Sequence, residues 1–237
     1  MVKPLETTLP QMADEIRQGS RVVILVRHAE RPPLQANDST FGHDLALTAR
    51  GAAEAVQYGR NLLCVFAGEH LTVAAGGNRR CMETAFGILK GMGMDWDDHA
   101  CTVMADPYLG GRSYYFGNVA ERMELANAGN YIGSLNDYFH NERQKGFNPL
   151  SPSTSLFAQH LLGHYSSRLF IGVTHDLNVA CFLAGNGTTT SFTQESWPQF
   201  LDAAVLIEKP DYSTECHWLH SPTARSSNEL KMENTHG

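Results

Sequence analysis

The chain has 237 residues, 42% hydrophobic and 18% charged, a composition that excludes a disordered or fibrous protein and fits one large globular domain. Lys and Arg total 18 against 25 Asp and Glu, a formal net charge of −7, which argues against nucleic-acid binding through a general basic surface. Any anion site must therefore be a local cluster of Arg held against the sign of the whole molecule.

The first twenty residues hold no apolar block of signal-peptide length, so a cytoplasmic location is expected, or a periplasmic or secreted one if the sequence is a mature form. No apolar run approaches the ~18 residues of a membrane span. The first clear element is Val22-Val-Ile-Leu-Val26, an apolar run without polar alternation. Leu71–Ala75, Cys101–Met104 and Leu169–Val173 resemble it. Such runs predict strands buried on both faces, as in parallel sheets. Between them lie helical patterns. Thr48 is a candidate N-cap for a helix to about Ala67, with Ala52, Ala55, Tyr58, Leu62 and Val65 near helical spacing. A second helix spans about Arg80 to Leu89 and ends near Gly91 and Gly93, and a third begins near Asp176. Alternation of strands and helices predicts a three-layer α/β/α sandwich with a mostly parallel central sheet.

From about 107 to 166 no strong strand occurs, while Ala120–Ala126, Ile132–Asn141 and Leu156–Tyr165 look helical. This stretch is expected to form a small helical cap inserted over the sheet. Ala203–Ile207 and Thr214–Leu219 flank Pro210-Asp211 and predict a closing hairpin. Residues 1–220 thus make a single domain, and 221–237, polar and without apolar period, are expected to be a flexible tail. The five Cys (Cys64, Cys81, Cys101, Cys181, Cys216) contain no CxxC pair and predict neither a zinc ribbon nor a redox motif.

Ligands of open α/β sheets bind beyond the carboxyl ends of the strands. There the chain carries Arg27-His28-Ala29-Glu30-Arg31, then Arg79-Arg80, then His175-Asp176. Helices starting near Arg80 and Asp176 also point N-terminal N–H groups to that edge. The outcome is a compact anion site with imidazoles and a carboxyl group. Phosphoryl transfer fits it. Guanidiniums bind phosphoryl oxygens in a bidentate manner and stabilise transition-state charge. A neutral imidazole can attack phosphorus, and a carboxylic acid can protonate the departing alkoxide. In that chemistry guanidiniums take the place of a metal, so neither metal nor other cofactor is expected.

Arg27-His28-Ala29 resembles the RHG motif of the histidine phosphatase superfamily. The longer run Arg27–Pro33 is similar to the RHGxRxP pattern of its acid phosphatase branch, with Ala29 in place of Gly. Leu47–Gly51 resembles LTxxG, Arg80–Ala85 resembles RxxxTA, and His175-Asp176 resembles the branch's HD. The resemblance implies the phosphoglycerate mutase-like fold. It implies His28 as the nucleophile that becomes phosphohistidine, and Arg27, Arg31 and Arg80 as ligands of the phosphoryl oxygens. It implies His175 as a second donor to the transferring group and Asp176 as the proton donor. The glutamate of the mutase branch's GE[ST] segment has no counterpart, Glu121 and Glu124 being the nearby candidates.

Other residues favour structural roles. Arg79 is expected as a solvated side chain or a salt-bridge partner, and Thr48 and Gly51 in the start of a helix. His160 and His164 share a helix face, but Leu161 stands where a metalloprotease motif needs Glu. His217 and His220 are expected to be structural. Tyr114-Tyr115-Phe116 either lines the substrate mouth or pins the cap. Between Asp106 and Lys145 four basic residues stand against five acidic ones, too few for a heavily phosphorylated ligand. The expected activity is hydrolysis of a small monophosphorylated substrate such as a sugar phosphate. The alternatives are a mutase-like phosphotransferase and a non-catalytic phosphate-binding scaffold.

Overall fold

The computed structural model describes residues 6–34, 42–94, 103–116, 121, 124–125 and 129–221. The elements in chain order are α1 (Leu9–Arg17), β1 (Arg21–Arg27), α2 (Ala49–Phe66), β2 (Leu71–Ala75), α3 (Arg79–Gly91) and β3 (Met104–Ala105). A wide turn at Tyr108–Arg112 follows, then α4 (Tyr131–Asn141), α5 (Leu150–His164), β4 (Leu169–Thr174), α6 (Asp176–Gly185), β5 (Ala203–Glu208) and β6 (Thr214–Leu219).

The strands form one sheet in the order β3-β2-β4-β1-β5-β6. β3, β2, β4 and β1 run parallel, and β5 and β6 add an antiparallel hairpin at the other side. Strand β1 shows why its sequence lacks polar alternation. Val22, Ile24 and Val26 face the core shared with α1, α2 and α3, while Val23 and Leu25 face the core shared with α4, α5 and α6. Both faces are covered, so both sets of side chains are apolar. The layers are therefore helix, sheet and helix, as expected.

Several boundaries differ from the sequence expectation. α1 is an addition to it, although its start carries a capping box: the Thr8 side chain accepts from Gln11 N, and the Gln11 side chain accepts from Thr8 N at 2.9 Å. The third strand occupies Met104–Ala105, while Cys101 and Thr102 lie outside the described residues. Most of the Ala120–Ala126 patch also lies outside them, as do residues 222–237 of the expected tail. Within 107–166, α5 packs beside α6: its Phe157 meets Phe182 of α6 edge to face at 5.7 Å. Just beyond it Tyr165 stacks on Phe170 of β4 at 4.0 Å. Phe157 and Leu161, four residues apart, are fully buried, so this part of the expected cap belongs to the helical layer on the sheet itself. No helix among the described residues is long and apolar enough to cross a membrane.

Candidate active site

β1 and β4 end side by side, and the backbone beyond them stays paired: His28 N donates to Thr174 O at 2.9 Å. This places His28 beside the His175-Asp176 segment that starts α6. His175 caps that helix in extended conformation, and Asp176 occupies its first turn, where a carboxylate meets the positive helix end. β2 ends at Ala75, and α3 starts at Arg79 with Asn78 as its N-cap, so Arg80 comes from the first turn of a helix that begins close to the strand end. The Asn78 side chain makes no cap bond to that helix and reaches His175 instead.

The turn after β1 is held from below. Ala29 N donates to Thr84 Oγ1 at 3.0 Å, and that hydroxyl donates to Arg80 O at 2.7 Å. Thr48 Oγ1 donates to Glu30 Oε1 at 2.7 Å and accepts from Gly51 N at 2.9 Å. A Cβ on Gly51 would lie 2.2 Å from Glu30 O, so only glycine lets α2 approach this turn. Ala29 is fully buried, and its methyl group packs in the core beside α2 and α3, which accommodates the departure from Gly.

His28 is 3% exposed. Its Nδ1 lies 2.8 Å from Ala29 O, and Arg80 Nε donates to its Nε2 at 3.1 Å. A guanidinium only donates, so Nε2 carries the lone pair and Nδ1 the proton. Burial pushes the His28 pKa down to about 3; the Ala29 carbonyl opposes this, and Arg27 and Arg80 add to it. The imidazole is thus neutral, with its lone pair on the cleft side.

Arg80 is 6% exposed; besides His28 it contacts Gly42 O and lies 3.4 Å from His175 Nδ1. His175 Nε2 is 3.1 Å from Asn78 Oδ1, and its ring stands edge-on to His28 at 5.4 Å. Arg27 donates to Pro198 O at 2.6 Å, lies 3.5 Å from Asp176 Oδ2 and covers the Phe200 ring at 4.2 Å. Arg31 donates to Pro32 O at 2.7 Å. The Nε atoms of Arg27 and Arg31 are buried without a hydrogen-bond partner among the described residues, which suits donors meant for a ligand. Asp176 accepts from Leu177 N at 2.9 Å and from Trp197 Nε1 at 3.1 Å. Burial raises its pKa, but Arg27 and the Trp197 N–H outweigh that and hold the carboxyl below its ordinary range.

All six residues expected at the site, Arg27, His28, Arg31, Arg80, His175 and Asp176, line one cleft of about 180 Å³. Leu34, Tyr115, Leu125, Tyr131, Phe147 and Leu177 complete its described lining. The remaining candidates sit elsewhere. Arg79 pairs with Glu83 at 2.7 Å, and Glu121 lies 3.8 Å from Lys145. Neither Glu121 nor Glu124 is among the described lining residues. Tyr114 is fully buried with its hydroxyl 3.1 Å from Thr154 Oγ1, so it pins the fold, whereas Tyr115 lines the cleft. His160 contacts Asp106 at 2.7 Å and stacks on His164, and His220 stacks on Trp218. Trp197, Phe200 and Asn78 are additions to the expected set. They come from loops and a helix cap, with no periodicity to mark them.

No family model and no curated protein matches the chain. Solved structures do. A mycobacterial glucosyl-3-phosphoglycerate phosphatase aligns with a TM-score of 0.54 at 16% identity, covering 85% of this chain and 100% of that one. A phosphoglycerate mutase from Bacillus anthracis aligns at 0.54 and 12% identity, covering 84% and 92%. The chain has the phosphoglycerate mutase-like fold. An alpha-ribazole phosphatase from Shigella flexneri shares this fold, with a TM-score of 0.50 at 17% identity over 84% of this chain and 96% of that one.

Proposed function

We propose that the chain is a phosphomonoesterase of the histidine phosphatase type, acting on a small monophosphorylated substrate through a phosphohistidine on His28. The observation that carries this is the neutral, buried imidazole whose Nε2 accepts from Arg80 in a cleft that Arg27, Arg31 and Asp176 also line.

The phosphoryl oxygens settle among Arg27, Arg31 and Arg80, with His175 as a further donor. Arg80 Nε then exchanges its bond to His28 Nε2 for one to a phosphoryl oxygen, which frees the lone pair. Nε2 attacks phosphorus, the bond from phosphorus to the leaving oxygen breaks, and Asp176 gives that oxygen a proton. The proton has a source. Asp176 is ionised in the free protein, and a phosphate monoester that loses its second proton near pH ~6 brings one with it. In the second half, ionised Asp176 takes a proton from water as the water oxygen bonds to phosphorus. The P–N bond breaks, and inorganic phosphate leaves. The guanidiniums supply the charge stabilisation, so no metal is required by this chemistry.

The test is hydrolysis of p-nitrophenyl phosphate with EDTA present, beside a His28→Ala control. Turnover that resists EDTA and vanishes in the control is expected, with an acid-labile phosphoryl label on the wild-type chain. Turnover no greater than the control's would end this assignment.

A further inference from the structure

We infer that the substrate's leaving group presents a flat apolar face to the protein, as an arylalkyl monophosphate does, rather than the hydroxyl-covered face of a sugar phosphate. This rests on the phosphomonoesterase function proposed above and names the substrate class of the same site.

The described lining of the cleft is of two unlike kinds. One is the set of guanidiniums and imidazoles. The other is a wall of Leu34, Tyr115, Leu125, Tyr131, Phe147 and Leu177. These six side chains bring only two phenol hydroxyls as polar atoms. They arrive from segments far apart in sequence. Leu177 follows Asp176 in the first turn of α6, and Tyr131 begins α4. Phe147 and Tyr115 meet edge to face at 5.0 Å across an isolated bridge between their backbones. The wall is built into the fold: Phe147 also touches Tyr138 at 4.9 Å, and Tyr131 meets Trp197 at 5.9 Å.

Among the described lining residues, the charged groups are Arg27, Arg31, Arg80 and Asp176, all of them engaged by the transferring phosphoryl group and the leaving oxygen. A second phosphate would find no further cation among them. A polyol lying on the wall would lose its hydrogen bonds to water and meet only the two phenol hydroxyls in return, whereas an apolar face would be removed from water against it. A second, more open cleft does offer neutral amides, from Asn130, Gln194 and Gln199. It shares Arg27, Tyr131 and Asp176 with the first, but His28, Arg31 and Arg80 are not in its described lining. A leaving group close to His28 as well as to Asp176 therefore meets the apolar wall first.

The experiment compares 2-phenylethyl phosphate with glycerol 3-phosphate, two alkyl esters whose alcohols ionise similarly, so reactivity is matched and only the face differs. A kcat/KM at least about tenfold higher for the phenylethyl ester is expected, the scale of discrimination by apolar contact in a pocket. Leu125→Ser and Leu34→Ser, each at a half-buried position, should each lower that ratio by about threefold or more. Equal rates, or a preference for the glycerol ester, would overturn the inference while leaving a phosphatase. An unchanged ratio in both variants would overturn the wall as the cause of the preference. Turnover of neither ester above a His28→Ala control would overturn the underlying function and this inference with it.

Discussion

Two pairs of acid and imidazole stand near the ends of strands, and they behave differently. Asp106, just after β3, lies 2.7 Å from His160 Nε2, and the same carboxylate accepts from the Tyr165 hydroxyl and from Tyr108 N, each at 2.8 Å. The Tyr108 ring stacks on His160 at 4.2 Å. Each partner satisfies the other. Asp176 and His28 share no direct hydrogen bond; His28 is fixed through Ala29 and Arg80, and Asp176 through Leu177, Trp197 and Arg27. Residue type therefore does not separate a structural pair from a reactive one. The difference lies in whether the groups are held by others, leaving a face toward a cleft rich in cations.

The largest test of this contrast is deletion of the imidazole at each place. His28→Ala should lower kcat for p-nitrophenyl phosphate by at least about ten-thousandfold, as expected for a lost nucleophile. His160→Phe should leave kcat within about threefold, because its contacts fix the fold alone. A His28→Ala enzyme of near wild-type activity would erase the distinction.

The two carboxylates come next. Asp176→Asn should slow an alkyl phosphate by about 10²- to 10⁴-fold, the range for general acid catalysis, and p-nitrophenyl phosphate by much less, since its phenolate leaves without a proton. Equal losses on both esters would remove Asp176 as the acid. Asp106→Ala should instead cost about 1–3 kcal/mol of stability in urea unfolding, the scale for leaving buried hydrogen-bonding groups unpaired.

The pair at the site also predicts a pH dependence of stability. His28 takes up a proton near its ordinary 6.5 in the unfolded chain but only near about 3 in the folded one. Between those values the unfolded state binds more protons, so this residue's contribution makes stability fall as pH drops through that window. The slope approaches about 1.4 kcal/mol per pH unit at most. Urea titrations at pH 7 and pH 5 should show a smaller loss in His28→Ala than in the wild type. Identical losses would mean that the folded imidazole protonates freely.

What is legible in the sequence follows the range of the interactions involved. β1 and β4 are readable because burial on both faces demands unbroken apolar runs, and Gly51 because a close backbone approach demands glycine. The proposed catalytic groups His28, His175 and Asp176 lie next to those strands, so reading the strands locates them. Of the cleft wall only Tyr115, within the aromatic run Tyr114–Phe116, is legible. Leu34 and Phe147 of that wall, and Trp197 beside Asp176, belong to segments without periodicity, and only long-range packing brings them to the site. The capping box of α1 stands in the open at Thr8–Gln11, but a nine-residue helix carries too few apolar positions to show a period.

The smallest expected effect concerns Trp197, whose indole N–H donates to Asp176 Oδ2 at 3.1 Å. It is a positioning residue, acting through the carboxylate. Trp197→Phe keeps an aromatic ring against Tyr131 and Phe192 but removes a donor that favours the charged acid. The carboxyl pKa should therefore rise. The reacting complex needs one proton shared between Asp176 and the bound monoester, so kcat for an alkyl ester falls as pH climbs past the pKa of that pair, and a carboxyl that holds the proton more firmly moves the falling limb to higher pH. The Asp176 side chain is 33% exposed, so solvent screening limits the displacement of that limb to about one pH unit or less. The limb for p-nitrophenyl phosphate, which needs no proton on its leaving group, should move less. A purely structural tryptophan would lower both profiles without displacing either, and that outcome would leave the acid's ionisation to Arg27 and the other groups around it.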